Sequence, residues 1–263
     1  MTASAPYAAL DLDSQPPIAP IAGGAVDSRR LTLTAADGTI FSAFLARAAE
    51  PSGAAMIVLP DVRGLHRYYE ELALRFAESG IDSIAIDYFA RTAAITARDE
   101  GFEFMPHVAQ TTYATLATDI AAGAAELRAT GRVRSLFTVG FCFGGRLAFL
   151  TATQDLRLAG AIGFYGPPTG IARNGMPAPA DVAAQMRAPI LGIFGGADPS
   201  IPETALDEFD RVLTAAGVGH EIASYPGAPH SFFDRKATEF ADASNDAWGK
   251  VLDFVRANAS PPP

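Results

Sequence analysis

The sequence predicts an α/β fold in which helices cover both faces of a mostly parallel central sheet, as a three-layer αβα sandwich. Three observations predict it. Strand-like and helix-like segments alternate through most of the chain, as in right-handed βαβ units. The run 54–59 (AAMIVL) is apolar throughout, as expected for a strand that is buried on both faces. Two alternating segments, 29–34 and 40–46, flank the turn residues Asp37 and Gly38 and predict an antiparallel hairpin that leads the sheet.

The remaining elements follow in a regular order. Strands are predicted at 83–86, 136–139, 158–164, 189–194 and 221–225, and helices at 68–79, 113–129, 146–152, 203–216 and 237–256. Two segments, 92–110 and 166–188, do not alternate in this way, and we predict that they are insertions over the edge of the sheet. No internal repeat or second core is evident. We therefore expect a tail at residues 1–28, rich in Pro, Ala and Gly, and a single domain at residues 29–263.

The charge of the chain excludes several classes of function. It has 20 Lys and Arg against 29 Asp and Glu, a formal net charge of −9, which disfavours binding to nucleic acid or to an anionic membrane. No stretch is apolar over the roughly 20 residues that a membrane span needs. The N-terminus lacks the basic region of a secretory signal. We expect a cytoplasmic protein with neither nucleic-acid nor membrane partners.

Metals and cofactors are not expected. The chain has one cysteine, and no two of its four histidines have the spacing of metal ligands, which excludes a disulfide framework and a cysteine-rich metal site. No G-x-G-x-x-G opens a helix after a strand, and no G-x-x-x-x-G-K-[ST] occurs, so the phosphate-binding turns of dinucleotide and P-loop proteins are absent from the sequence. We predict no metal and no cofactor.

The single cysteine lies in a pattern typical of a nucleophile. Cys142 is at the centre of GFCFG, between the apolar run LFTV and the helical segment GRLAFL. A sharp strand-to-helix turn of this form lifts a nucleophilic side chain above the sheet, with glycines where a Cβ would clash. The N-terminus of the following helix also favours negative charge on Cys142. The alternative is a buried cysteine that packs as a small hydrophobic residue.

An acid and a histidine follow the last two strands. Asp198 comes directly after the strand 189–194, and His230 follows the strand 221–225. A thiol nucleophile needs a base, and an imidazole needs an acceptor that orients it. The order nucleophile, acid, histidine is that of the α/β-hydrolase fold. Asp198 could instead be an ordinary Asp-Pro turn residue, and His230 a loop histidine without a role.

Acyl transfer also needs two N–H groups for the developing oxyanion. In this fold they belong to the residue after the nucleophile and to the loop after the third strand. Those positions are Phe143 and Val62. Because backbone groups do this work, the side chains support the prediction only indirectly.

Together these motifs resemble the dienelactone hydrolase family of α/β-hydrolases, over residues 29–258. The resemblance rests on GFCFGG, on FGGADPSIP around Asp198, on PGAPHSFF around His230 and on DYFART around Arg91. It implies a monomeric hydrolase of small esters or lactones. It also implies an acidic residue in the loop after the third strand that helps to ionise the thiol, and arginines that bind a substrate carboxylate.

Two positions depart from the family pattern. The acidic residue is Asp61, where the pattern has glutamate, so Asp61 either activates the thiol or only caps its loop. Arg91 matches the first carboxylate-binding arginine, with a surface ion pair as the alternative. The second arginine is expected four residues after the histidine, where this chain has Asp234, and Arg235 is one place later. Other arginines of the loops could take its place, namely Arg63, Arg67 and Arg98.

The leading hypothesis is a carboxymethylenebutenolidase-like enzyme. In it Cys142, His230 and Asp198 open a small anionic enol-lactone, such as dienelactone, to maleylacetate, and Arg91 and Arg235 bind its carboxylate. Two alternatives stay open. One is a carboxylesterase or lactonase that acts on a different small ester. The other is a non-catalytic scaffold or a thiol redox sensor that uses Cys142.

Overall fold

A computed structural model describes residues 15–96, 98–99, 101–172 and 174–260 of the chain. Its centre is an eight-stranded sheet. In chain order the strands are β1 (Ala25–Thr34), β2 (Ile40–Ala48), β3 (Ala54–Leu59), β4 (Asp82–Ile86), β5 (Ser135–Phe141), β6 (Leu158–Phe164), β7 (Ile190–Gly195) and β8 (His220–Tyr225). In the sheet they lie in the order β1-β2-β4-β3-β5-β6-β7-β8.

The pairing confirms a mostly parallel sheet led by a hairpin. β1 and β2 are antiparallel around the turn at Gly38, whose φ is 83°. β2 is antiparallel to β4, and every other neighbouring pair is parallel. β1 begins at Ala25, inside the segment predicted as the tail, and residues 1–14 lie outside the described residues.

Helices cover both faces of the sheet, as predicted. They are α1 (Arg67–Glu78), α2 (Ala90–Ala93), α3 (Phe104–Val108), α4 (Tyr113–Ala129), α5 (Phe143–Thr151), α6 (Glu203–Ala216) and α7 (Ala241–Asn258). Apolar residues of α1, α6 and α7 belong to one core cluster, those of α4 belong to a second, and α5 contributes to both. Burial of these two faces removes apolar surface from water on each side of the sheet.

The two segments that do not alternate border the carboxyl edge of the sheet. The first contains the short helices α2 and α3, and the second contains a 3-10 helix, Pro179–Gln185. A hydrogen bond of 2.9 Å from Asn174 Nδ2 to Thr111 Oγ1 joins the second segment to the chain just before α4. Because parallel strands end at this edge, it is where ligands of such sheets bind.

The described residues contain neither a membrane-spanning helix nor a cluster of metal ligands. No helix in them is long and apolar enough to cross a bilayer. The same residues contain no group of three or more His, Cys, Asp or Glu side chains arranged to hold a metal ion.

Candidate active site

Cys142 is the only residue between β5 and α5, and its backbone is strained. Its φ is 54° and its ψ is −110°, in a region that L-residues adopt rarely and at a cost of roughly 1–3 kcal/mol. The turn is tight enough to require glycine on both sides. A Cβ on Gly140 would lie 1.9 Å from the carbonyl oxygen of Gly144, and one on Gly144 would lie 2.1 Å from that of Leu59. The turn therefore holds the thiol above the end of β5.

His230 and Asp198 meet above neighbouring strand ends. The distance from His230 Nδ1 to Asp198 Oδ2 is 2.5 Å, and only 1% of the Asp198 side chain is exposed. Asp198 Oδ1 accepts hydrogen bonds from the backbone N–H and the hydroxyl of Ser200, at 2.9 and 2.6 Å. Burial raises the pKa of Asp198, but the hydrogen bonds from His230 and Ser200 lower it more, so it lies below its ordinary value. The carboxylate is therefore charged and fixed in orientation.

The pKa of His230 responds to both of its neighbours in the site. Burial lowers it, but the hydrogen bond to Asp198 and the interaction with the side chain of Cys142 outweigh burial and raise it to about 10. The ring of Tyr165 lies 4.9 Å from the imidazole, centroid to centroid. The imidazole is therefore bound by a carboxylate and lies beside the side chain of Cys142, and both neighbours favour its protonated form.

The loop after β3 packs directly against the nucleophile turn. The close approach of Gly144 to the carbonyl groups of Leu59 and Pro60 fixes this contact. Phe143 is the first residue of α5, so its N–H has no acceptor within the helix. Val62 follows Asp61, whose Oδ1 accepts the N–H of Arg63 at 2.8 Å and so shapes the turn. The two N–H groups predicted for the oxyanion thus belong to adjoining segments.

The carboxylate of Asp61 is bound by Arg63. Arg63 Nε lies 3.0 Å from both Asp61 oxygens, and Nη2 lies 2.9 Å from Oδ2. Arg63 Nη2 also donates to Asp234 Oδ2. Burial raises the pKa of Asp234 to about 6 even though Arg63 lowers it. Asp61 and Asp234 therefore share one guanidinium.

Arg91 is placed away from the triad. Its guanidinium lies 2.5 Å from Asp37 and 2.6 Å from Asp119, and it contacts Thr118 at 3.2 Å. These partners belong to the turn between β1 and β2 and to α4. Arg235 is exposed. The structure thus brings Cys142, His230 and Asp198 together, whereas it does not bring Arg91 to them.

Two arginines, the half-buried Arg63 and the buried Arg146, matter here more than the motifs indicated. The bridge from Asp61 through Arg63 to Asp234 was not predicted. One signal was present in the sequence, because Asp234 stands where the family pattern has an arginine and therefore needs a positively charged partner from another loop. Arg146 of α5 is 4% exposed and donates to the carbonyl oxygens of five residues at 2.7 to 3.3 Å, namely Pro167, Thr169, Gly170, Met176 and Pro177. Its position in GFCFGGR gave no indication of this role.

Comparison with known proteins gives consistent matches. The model of the dienelactone hydrolase family matches residues 41–259. A "Putative carboxymethylenebutenolidase" of Escherichia coli K12 is 31% identical over 209 residues, 76% of each chain. One of Methylorubrum extorquens is 29% identical over 206 residues, 76% of this chain and 71% of the relative.

Solved structures match over most of their length. The crystal structure of a "Putative Dienelactone Hydrolase" from Klebsiella pneumoniae has a TM-score of 0.75 at 27% identity, and the match covers 87% of this chain and 98% of that one. A dienelactone hydrolase-like promiscuous phosphotriesterase, P91, from metagenomic libraries has a TM-score of 0.72 at 19% identity, covering 89% and 100%. The matched family region, 41–259, includes the nucleophile turn and the loops of Asp198 and His230.

Proposed function

The chain belongs to the dienelactone hydrolase family and is a hydrolase, and on that premise we propose that it cleaves small carboxylic esters or lactones through a Cys142 thioester. The observation that carries the proposal is the pair of Asp198 and His230 beside the nucleophile turn. Asp198 binds His230 at 2.5 Å, and the side chain of Cys142, at the strained turn before α5, acts on the pKa of His230. A nucleophile, a base and an orienting acid in contact are what acyl transfer requires.

In the first half of the reaction, Cys142 Sγ attacks the carbonyl carbon as a thiolate. The carbonyl electron pair moves to the oxygen, which accepts hydrogen bonds from the N–H groups of Val62 and Phe143. The oxyanion then collapses, the bond between the carbonyl carbon and the ester oxygen breaks, and the leaving oxygen takes a proton from the imidazolium of His230. In a lactone the leaving group stays attached to the acyl chain. The products of this half are a thioester and a neutral His230.

In the second half, His230 acts as a general base. It removes a proton from water as the water oxygen attacks the thioester carbon. Collapse of this second oxyanion breaks the bond to sulfur and releases the acid. The enzyme returns to a thiolate beside an imidazolium, and Asp198 holds the imidazole in the same orientation throughout.

His230, rather than Asp61, is proposed to take the proton of the thiol. The carboxylate of Asp61 is engaged by Arg63 through both oxygens, whereas Cys142 acts directly on the pKa of His230. In this proposal Asp61 shapes the loop that presents Val62. Dienelactone, which would be opened to maleylacetate, is the first substrate to assay because of the family, and other small esters are the alternative. A redox sensor would not need the pair of Asp198 and His230.

The test is substitution of the thiol. Purified Cys142→Ala is expected to lose at least about 10³-fold in kcat/KM toward dienelactone and aryl esters, because it lacks the nucleophile. The matched control is Asp210→Asn, whose exposed side chain pairs with His220 and whose loss should leave the rate unchanged. Mass spectrometry after iodoacetamide treatment should find one alkylated residue, Cys142, with loss of activity. A full rate in Cys142→Ala would show the mechanism to be wrong.

A further inference from the structure

We propose that the site at Cys142 favours neutral esters over carboxylate-bearing ones, because Asp234 and Asp61 together place two negative charges against the single positive charge of Arg63. The inference rests on the proposed function and concerns its substrate class. Asp234 is the residue that sets the selectivity, at the position where the family pattern predicts an arginine. Dienelactone carries a carboxylate, so this chain is expected to use it less well than an uncharged ester of similar size.

No arginine in the loops after β3 and β4 is without a carboxylate partner. Arg63 is held by Asp61 and Asp234. Arg91 is held by Asp37 and Asp119. Arg98 binds Asp87 with two hydrogen bonds, of 3.0 and 2.8 Å, and its side chain is 2% exposed. A substrate carboxylate would have to displace one of these partners before it could form a bidentate pair with any of these three arginines.

The group formed by Arg63, Asp61 and Asp234 has an excess of negative charge. Arg63 contributes one positive charge, while Asp61 and Asp234 contribute two negative charges, and their side chains are 14%, 6% and 1% exposed. Arg235 also lowers the pKa of Asp234, but it is exposed, so solvent screens its charge. Asp234 Oδ1 makes no hydrogen bond within the described part of the chain. Burial raises the pKa of Asp234 to about 6, so the carboxyl is ionised at pH 8. The group therefore presents an unneutralised carboxylate.

Contacts connect this group to the nucleophile. Arg63 lies 5.8 Å from the ring of Tyr69, and that ring is 5.6 Å from the ring of Phe141, the residue before Cys142. Arg63 also directly follows Val62 in the loop that packs on the nucleophile turn. Asp234 is four residues after His230. Like charges placed together at a desolvated site repel strongly, so a second carboxylate here is unfavourable, whereas a neutral group meets no such penalty.

The direct test uses two esters of the same shape. These are 4-nitrophenyl hydrogen glutarate, which is anionic, and 4-nitrophenyl glutaramate, in which a neutral amide replaces the carboxylate. At pH 8, kcat/KM for the amide is expected to exceed that for the acid by about tenfold or more. The rate measured with Cys142→Ala is subtracted from each as the background that does not depend on the nucleophile. Equal rates, or faster turnover of the anionic ester, would overturn the inference.

Asp234→Asn sharpens the test. It removes the excess negative charge and keeps the side-chain shape, so the preference for the neutral ester should fall by about tenfold. Asp234→Glu keeps the charge and should keep the preference, and Asp210→Asn controls for a change of net charge at a remote surface site. An unchanged ratio in folded Asp234→Asn would contradict the role of this residue.

Alkylation separates failure of the selectivity from failure of the proposed hydrolase. Iodoacetamide is neutral and iodoacetate is anionic, as the two esters are, and Cys142 is the only thiol in the chain. The measured quantity is the rate constant for alkylation by iodoacetamide divided by that for iodoacetate. This ratio should be about tenfold higher for Cys142 than for glutathione, and it should fall in Asp234→Asn. This readout needs no ester hydrolysis. If no ester is cleaved, the hydrolase proposal is wrong, while a ratio equal to that of glutathione overturns the selectivity alone.

Discussion

Two arginine-centred regions on either side of the nucleophile use the same side chain for different purposes. Arg63, after β3, is bound by the carboxylates of Asp61 and Asp234, whereas Arg146, in α5, is bound only by main-chain carbonyl groups. Burial lowers the pKa of both guanidinium groups. The neighbouring Tyr69 and the two acids raise that of Arg63 above its ordinary value, while that of Arg146 stays below it. The first region is an ionic network, and the second is a scaffold of hydrogen bonds.

The difference shows what each region supplies to the site. The charges around Arg63 attract or repel a charged group of a substrate that approaches Cys142. Arg146 anchors the segment after β6 at five described residues, namely Pro167, Thr169, Gly170, Met176 and Pro177. Ala172 and Met176 of that segment pack in the same core cluster as Val62 and Phe143. Substitutions in the two regions should therefore differ in size, in pH dependence and in kinetic effect.

The largest effect is expected from removal of the shared counter-ion. Arg63→Met leaves Asp61 and Asp234 buried without their partner, and we expect a loss of about 3–5 kcal/mol in the free energy of unfolding. The double variant Arg63→Met/Asp234→Asn should recover a large part of it, because one of the two orphaned charges is gone. Urea denaturation at pH 8 measures both.

The control for this experiment is Arg211→Met. Arg211 is 66% exposed and pairs with Glu208 on the same helix, so its loss should cost no more than about 0.5 kcal/mol. If Arg63→Met costs as little as Arg211→Met, the ionic network does not stabilise the fold.

A smaller effect is expected in the second region. The substitution is Arg146→Lys. A lysine ammonium carries three donors on a single nitrogen and cannot reach all five carbonyl groups, so the free energy of unfolding should fall by about 2 kcal/mol. Because residues 167–177 then lose their anchor, their amide hydrogen exchange should speed up. We expect KM to rise more than kcat falls, since the triad stays in place. A lysine variant with native exchange and native KM would show that Arg146 does not position the segment.

The smallest effect concerns pH. The native pKa of Asp234 is raised to about 6, above the ordinary value near 3.9, so the native state binds the proton more tightly than the unfolded chain. This contribution makes the protein more stable as the pH falls from 7 to 5. Relative to Asp234→Asn, the wild-type free energy of unfolding should rise by about 1 kcal/mol over that interval. A constant difference between the two proteins would contradict the assignment.

The nucleophile turn could be predicted from sequence because its requirements are local. Gly140 and Gly144 are needed where the chain turns so sharply from a strand into a helix, and each lies only two residues from Cys142 in the sequence. The rule that ligands bind at the carboxyl ends of parallel strands then predicts that Asp198 and His230 lie near it. The structure brings these three residues into contact.

Ion-pair partners could not be predicted in the same way. The position of Arg91 in the sequence indicates only that it follows β4, whereas its partner Asp37 belongs to a hairpin turn more than fifty residues earlier. Arg63 and Asp234 are 171 residues apart. Which acid an arginine meets depends on how loops from distant parts of the chain pack, and the identity of neighbouring residues does not contain that information.

The hydrogen bond between Asn174 and Thr111 has a practical consequence for protein engineering. It joins the segment after β6 to the chain that precedes α4, so these two loops at the carboxyl edge of the sheet form one unit in space although they are far apart in sequence. Exchange of either loop alone with that of a relative would break this contact. A library built by recombination should therefore keep both loops from the same parent.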